Sequence, residues 1–126
     1  MNQMMDHVME QMIREQADAL ARILVEKKAQ NVTAIHVADR TVIADWFIIC
    51  SGRVPAQTKA LCDELEDQAP ALGLERRRRE GYDDGRWIVL DYADILVHIF
   101  LPEERQYYNM ERLWDEHGEA LRYDGD

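Results

Sequence analysis

Arg86-Trp87-Ile88-Val89-Leu90-Asp91-Tyr92-Ala93-Asp94-Ile95-Leu96-Val97-His98-Ile99-Phe100-Leu101 is the stretch that decides the fold. Residues 86–91 and 95–101 are rich in β-branched and aromatic side chains, so both read as strands. Tyr92-Ala93-Asp94 reads as the turn between them. So short a connection cannot hold a crossover, and the two strands must run antiparallel. Upstream, Leu74 to Glu80 reads as a further strand. Gly81-Tyr82-Asp83-Asp84-Gly85 supplies the hairpin turn, with Asp-Gly as its local signal.

Working outward, Trp46-Phe47-Ile48-Ile49-Cys50-Ser51 is apolar on both faces, which suits a central buried strand ended by Gly52. Val32 to Ala38 alternates and reads as a strand, joined to it through the turn Asp39-Arg40-Thr41. Pro55 suits the first turn of a helix carrying Ala56, Ala60, Leu61 and Leu65 on one face. Pro70 should kink or end that helix, and Gly73 should stop it. Residues 5–29 read as an N-terminal helix, because Met5, Val8, Met9, Met12, Ile13, Leu20, Ile23 and Leu24 recur at helical spacing. Its methionine-rich start suits an adaptable end. Pro102-Glu103-Glu104 opens another helix with acids in its first turn, and 111–117 continues helical. Residues 118–126 read as a loose acidic tail. The expected fold class is therefore α/β in the α+β sense: one domain over 1–126, built on a single mixed sheet flanked by helices.

Length and composition agree with one globular domain. The chain has 126 residues, 47% of them hydrophobic and 32% charged. Its 25 acidic against 15 basic residues give a net charge of −10. That balance opposes coating nucleic acid and docking on an anionic membrane, and it suits basic proteins as partners. Two cysteines, Cys50 and Cys62, make no disulfide framework and carry no metal-ligand spacing. No apolar run reaches the length of a membrane span, and the N-terminus resembles neither a signal nor a transit peptide. The simplest expectation is a cytoplasmic protein without cofactor, metal or small-molecule substrate.

Three stretches together carry a family resemblance. They are Ala44 to Gly52 with Thr58-Lys59-Ala60; Glu80-Gly81 and Gly85 to Asp94, running into Val97-His98-Ile99-Phe100; and Glu104 to Trp114. In order and spacing they resemble the ribosomal silencing factor family, also called Iojap-like, over about residues 17–115. The resemblance implies a fold similar to the nucleotidyltransferase core without its chemistry. It implies a translation repressor, commonly homodimeric, that binds ribosomal protein fourteen of the large subunit and blocks joining of the small subunit. The chain departs from the family pattern at Pro70 and in the basic run Arg76 to Arg79.

Candidate partner-binding residues on this reading are Trp87, Leu90, Asp91, Tyr92, Asp94, Tyr108 and Asn109. In an alternating strand Trp87, Val89 and Asp91 share one face, and Ile88, Leu90 and Tyr92 the other. A face carrying Trp and Asp is mixed, and so suits a surface where an aromatic anchors and an acid meets a basic partner. The bland alternative puts Trp87 in the core and gives Asp91 and Asp94 to turn chemistry. Tyr107, Tyr108 and Trp114 are at home in packing, with Tyr108 and Asn109 as rim contacts if the resemblance holds. His98 and His36 read as structural. The run Arg76–Arg79 reads as a solvated edge strand or, alternatively, a ribosomal RNA contact. A metal-dependent nucleotidyltransferase is the competing function. It lacks the Gly-Ser and Asp-x-Asp pattern, since Ser51-Gly52 stands reversed and Asp91 and Asp94 are wrongly spaced. A dimeric scaffold for another partner is the third.

Overall fold

The computed structural model describes residues 3–124. Its elements are α1 (Gln3–Glu26), β1 (Gln30–His36), β2 (Trp46–Ser51), α2 (Pro55–Gln68), β3 (Arg78–Glu80), β4 (Trp87–Asp91), β5 (Ile95–Phe100), α3 (Pro102–Tyr108), α4 (Met110–Trp114) and β6 (Leu121–Tyr123). They build one six-stranded sheet in the order β3-β4-β5-β2-β1-β6. β4 and β5 are antiparallel, as their short turn requires, with Trp87 opposite Phe100 and Asp91 opposite Leu96. β2 and β5 are parallel, which makes the sheet mixed. All six residues of β2 are buried, as expected of an inner strand with no polar alternation.

The two faces of the sheet are covered unequally. α1 and α2 bury Leu20, Leu24, Leu61 and Leu65 against Ile48, Cys50, Ile88, Leu90, Val97 and Ile99. The opposite face holds a smaller cluster of Ile35, Phe47, Ile49 and Phe100, partly roofed by Met110 and Trp114 of α4. Beyond that roof, Val89 and Leu96 remain only half-buried. This thinly covered face carries the candidate site.

Several boundaries differ from the expectation. α1 stops at Glu26, not 29, because Lys28 turns left-handed at φ +70° and its N–H bonds back to the Val25 carbonyl. Its methionines lie outside the core: Met5, Val8, Met9 and Met12 are exposed, and burial begins at Ile13. Only Arg78–Glu80 of the expected strand 74–80 pairs with β4. α2 ends at Gln68 and tightens into a 3-10 turn over Ala69–Leu72 that contains Pro70, and Gly73 closes it at φ +80°. The tail is not loose throughout. Leu121–Tyr123 pairs antiparallel with β1, and Tyr123 O–H donates to Asp18 Oδ1 at 2.8 Å. Residues 125–126 of that tail lie outside the described residues. At the hairpin before β4, Gly81 has φ +78°, and a Cβ there would fall 1.9 Å from the Trp87 carbonyl oxygen. Only glycine fits so close an approach.

Candidate functional site

On β4 the alternation of the backbone divides the candidate residues. Trp87, Val89 and Asp91 are half-buried on the thinly covered face. Leu90 is fully buried and Tyr92 is 4% exposed, both in the core beneath α1 and α2. Their side chains therefore do not reach the surface that Trp87 occupies. They hold β4 against the core and leave the surface to its alternate residues.

Trp87 is neither a core residue nor a free anchor. Its indole stacks on Phe100, its cross-strand partner, with centroids 5.0 Å apart and planes at 25°. The Tyr108 ring of α3 lies 4.6 Å away. Its Nε1–H donates to His98 Nδ1 at 3.1 Å. That bond fixes the histidine tautomer, because a ring nitrogen that accepts leaves the proton on the other. His98 Nε2 is accordingly the N–H, and it is buried without a hydrogen-bond partner among the described residues. Burial pushes the His98 pKa down to about 4, so the ring is neutral near pH 7. The histidine is structural, as expected, but only half satisfied.

The aromatic group reaches solvent through α3. Tyr108 is 45% exposed, and Tyr107, set edge-on to it at 5.0 Å, is 82% exposed. Asn109 is exposed and left-handed at φ +46°, ending α3 with its N–H on the Arg105 carbonyl. Asparagine tolerates that conformation better than most residues. Arg105 anchors the helix from below: its guanidinium meets Glu111 at 2.8 Å and Ser51 Oγ at 3.1 Å. Trp114 packs edge-on against Phe47 at 5.1 Å, which is the packing role.

At the other end of β4 lie the acids. Asp91 Oδ1 accepts the Ala93 N–H at 2.8 Å, an Asx turn that lets Ala93 stand at φ +71°. Asp91 is thus held by turn chemistry. The Asp94 side chain is exposed, while its carbonyl accepts the N–H groups of Asp45 and Trp46. Burial, and after it the neighbouring Asp45 carboxylate, raises the Asp94 pKa above the ordinary range, against the pull of Arg77. Asp91 Oδ2 also lies 3.7 Å from the Arg78 guanidinium, whereas the Asp94 carboxylate forms no ion pair among the described residues. The loop just before Asp45 adds Val42, wholly exposed, and Ile43, 59% exposed. Neither stood among the candidates. Their only sequence signal was two β-branched residues in a turn.

The four arginines do not form a cationic patch. Arg76 and Arg79 both bind the Glu66 carboxylate of α2, Arg79 at 2.8 Å. Arg79 also lies over the Tyr82 ring at 4.1 Å. Burial alone would raise Glu66, but the bonds from Arg79 and Cys62 and the charges of Arg79 and Arg76 hold it below the usual carboxylate range. Arg78 sits 3.7 Å from Asp91 and Glu80. Cys62, Asp63 and Glu66 cluster at metal-ligand distances. That carboxylate is already taken by two arginines, and burial drives the Cys62 thiol up to about 12, so the group is built as an ion pair. Cys50 is buried and likewise raised to about 12 by burial, which fits packing.

A family described as ribosomal silencing factor during starvation matches residues 10–125. The chain belongs to that family. The family is one of regulatory proteins that silence the ribosome, not of enzymes. A ribosomal silencing factor RsfS of Halalkalibacterium halodurans is 43% identical over 89 residues, covering 71% of this chain and 76% of that protein. A mouse protein named mitochondrial assembly of ribosomal large subunit protein 1 is 28% identical over 100 residues, covering 77% of this chain and 44% of that protein. Among solved structures, one from Chromobacterium violaceum superimposes with a TM-score of 0.79 at 27% identity, covering 82% of this chain and 86% of that one. Among the described residues no helix is long and apolar enough to cross a membrane.

Proposed function

We propose that this protein acts in the cytoplasm and represses translation by docking on the large ribosomal subunit through ribosomal protein fourteen, where it bars the small subunit. Two copies of the chain form the acting unit. The observation that carries the docking surface is the strip running from the Tyr107–Tyr108–Trp87 aromatic group to the unpaired Asp94 carboxylate. From Trp87 to Asp91 β4 covers about 13 Å at the usual strand rise, and Asp94 lies in the turn beyond it. Exposed aromatics backed by a rigid stack are good interface anchors. An acid with no ion pair, its carboxylate already disfavoured by Asp45, gains from a basic side chain brought by a partner. Membership of a ribosome-silencing family supplies the ribosome. The name of the mouse relative supports the large subunit. The arginine run lies outside this docking surface, since Glu66 holds Arg76 and Arg79 and Arg78 faces Glu80 and Asp91.

Purified protein mixed with separated subunits tests this reading. It should co-sediment with the large subunit and lower the joined fraction in a sucrose gradient. Tyr107→Ala, which removes a side chain with little burial, should weaken docking about tenfold while leaving the urea midpoint unchanged. Undiminished joining at saturating protein would sink the proposal.

A further inference from the structure

A cavity of about 280 Å³ opens where α1, the β1–β2 turn and the segment between α4 and β6 meet. It shares no residue with the docking strip. Its guanidinium groups have donors to spare. Arg40 gives an Nη2–H to the His36 carbonyl at 2.9 Å, but its Nε and Nη1 are buried with no hydrogen-bond partner among the described residues. The Asp39 carboxylate stands 3.7 Å from Nε, too far for a hydrogen bond. Arg14 lies over the Trp46 ring at 5.5 Å and forms no salt bridge among the described residues. Buried N–H groups of a charged guanidinium call for an acceptor, and a carboxylate fits their fork best. The acids are not all committed either. Asp115 Oδ1 accepts the Ala120 N–H at 3.0 Å, while the exposed Glu119 carboxylate has no hydrogen bond or salt bridge among the described residues. The same wall holds the apolar side chains of Ile35, Trp46 and Leu121.

We infer that this cavity binds a free apolar α-amino acid. The Arg40 and Arg14 guanidiniums take its carboxylate, Glu119 with Asp115 takes its ammonium, and the apolar wall takes its side chain. The inference stands apart from the docking reading and does not rest on it. Charge selects the occupant. Two arginines and three acids, Asp39, Asp115 and Glu119, line the one cavity. A bare anion gains at the arginines and loses at the acids, and a bare cation does the reverse. A zwitterion gains at both when it lies the right way round. A residue inside a peptide chain carries neither main-chain charge, so an extended peptide does not meet this pattern. Size narrows the class further. Ligand pockets run from about 300 Å³ upward, so this one stands at the small end and suits a molecule of single-residue size. The third group of the ligand meets Ile35, Trp46 and Leu121. A polar or charged side chain would lose its water there without finding a partner, whereas an aliphatic one gains.

Titration of the isotope-labelled full chain with L-leucine, followed by amide chemical shifts, tests this. Two analogues run beside it, each lacking one charge: isocaproate has no amine and isoamylamine no carboxylate. L-leucine should bind saturably with a Kd of about 1 mM or below, moving the amides of residues 37–41 and 115–121. Each analogue should bind about tenfold more weakly. Glu119→Gln changes an exposed side chain, so the urea midpoint should hold. It should weaken L-leucine about fivefold and leave isocaproate no weaker. Arg40→Gln should weaken L-leucine and isocaproate alike, by about tenfold. An absence of saturation up to about 20 mM L-leucine overturns the site. Isocaproate binding as tightly as L-leucine overturns the amino acid and leaves an anion site only. L-leucine binding that ignores both substitutions lies elsewhere on the chain and overturns the assignment. Should Arg40→Gln fail to fold, Glu119→Gln with the two analogues still decides.

Discussion

At the scale of single residues, Trp87 and His98 show how a site can be half legible. The alternation of β4 put Trp87 on the same face as Asp91, and the structure keeps it there. What no strand pattern could disclose is that its exposure is set by Phe100, Tyr108 and His98, residues brought in by pairing and by a later helix. For the same reason Leu90 and Tyr92 could be placed on the far face by parity, while the depth of that face depended on where α1 and α2 settle. His98 gives a test of this packing. Its folded pKa lies near 4, below the ordinary value of 6.5 for an unfolded chain. Between those values the unfolded chain binds the extra proton. The stability from neutral, buried His98 is therefore complete above about pH 6.5 and is lost as pH falls towards 4, below which this residue adds no further slope. A shift of this size is worth about 3 kcal/mol at most. Urea midpoints measured from pH 7 to 4 should fall steeply in the parent. They should fall less in His98→Gln, which keeps an acceptor for the Trp87 N–H but cannot charge. Equal slopes in the two proteins would mean that His98 is not held neutral by this packing.

Elements with their own signal were readable, and elements defined by a neighbour were not. β2 carries six apolar or small residues between a turn and a glycine, so its length and burial follow from composition. The β4–β5 hairpin follows from a connection too short to cross over. The end of α2 follows from Pro70 and Gly73. β6 has no such signal: Leu121-Arg122-Tyr123 lies between acids and becomes a strand only because β1 has an open edge. Its hold on the body is the Tyr123 ring, which bonds Asp18 through its hydroxyl and carries Arg22 over its face at 5.7 Å. An exposed edge is a liability to aggregation, and β6 covers this one. Tyr123→Ala should accordingly release β6, at a cost of about 2 kcal/mol from one lost hydrogen bond and one ring. Hydrogen exchange should quicken at those amides of residues 32–34 that face β6, while amides shared between β1 and β2 stay protected. Uniform acceleration across both sets would show that β6 is part of the global fold and not a separable cover.

For the whole molecule the question is what the acidic surplus does. A net charge of −10 argues for a basic protein as the main contact, and four consecutive arginines were the one feature against it. The structure weakens that objection, because Glu66 neutralises Arg76 and Arg79 and leaves no strip of aligned cations for a phosphate backbone. Asp94 carries the opposite case: its side chain forms no ion pair among the described residues, and partial burial and then Asp45 disfavour its charge. The two contacts respond differently to charge reversal. An exposed pair with a basic side chain is worth about 0.2–1 kcal/mol, so Asp94→Lys, which also replaces attraction by repulsion, should weaken large-subunit docking several-fold and flatten its salt dependence. Arg77→Glu should change affinity less than twofold. If a phosphate were held there, the substitution would remove it and lower the slope of log affinity against log salt by about 1. Binding measured at three salt concentrations for the parent and both variants separates the two outcomes. A lowered slope in Arg77→Glu with an unchanged Asp94→Lys would assign the contact to RNA, and with it would fall the acidic end of the docking strip.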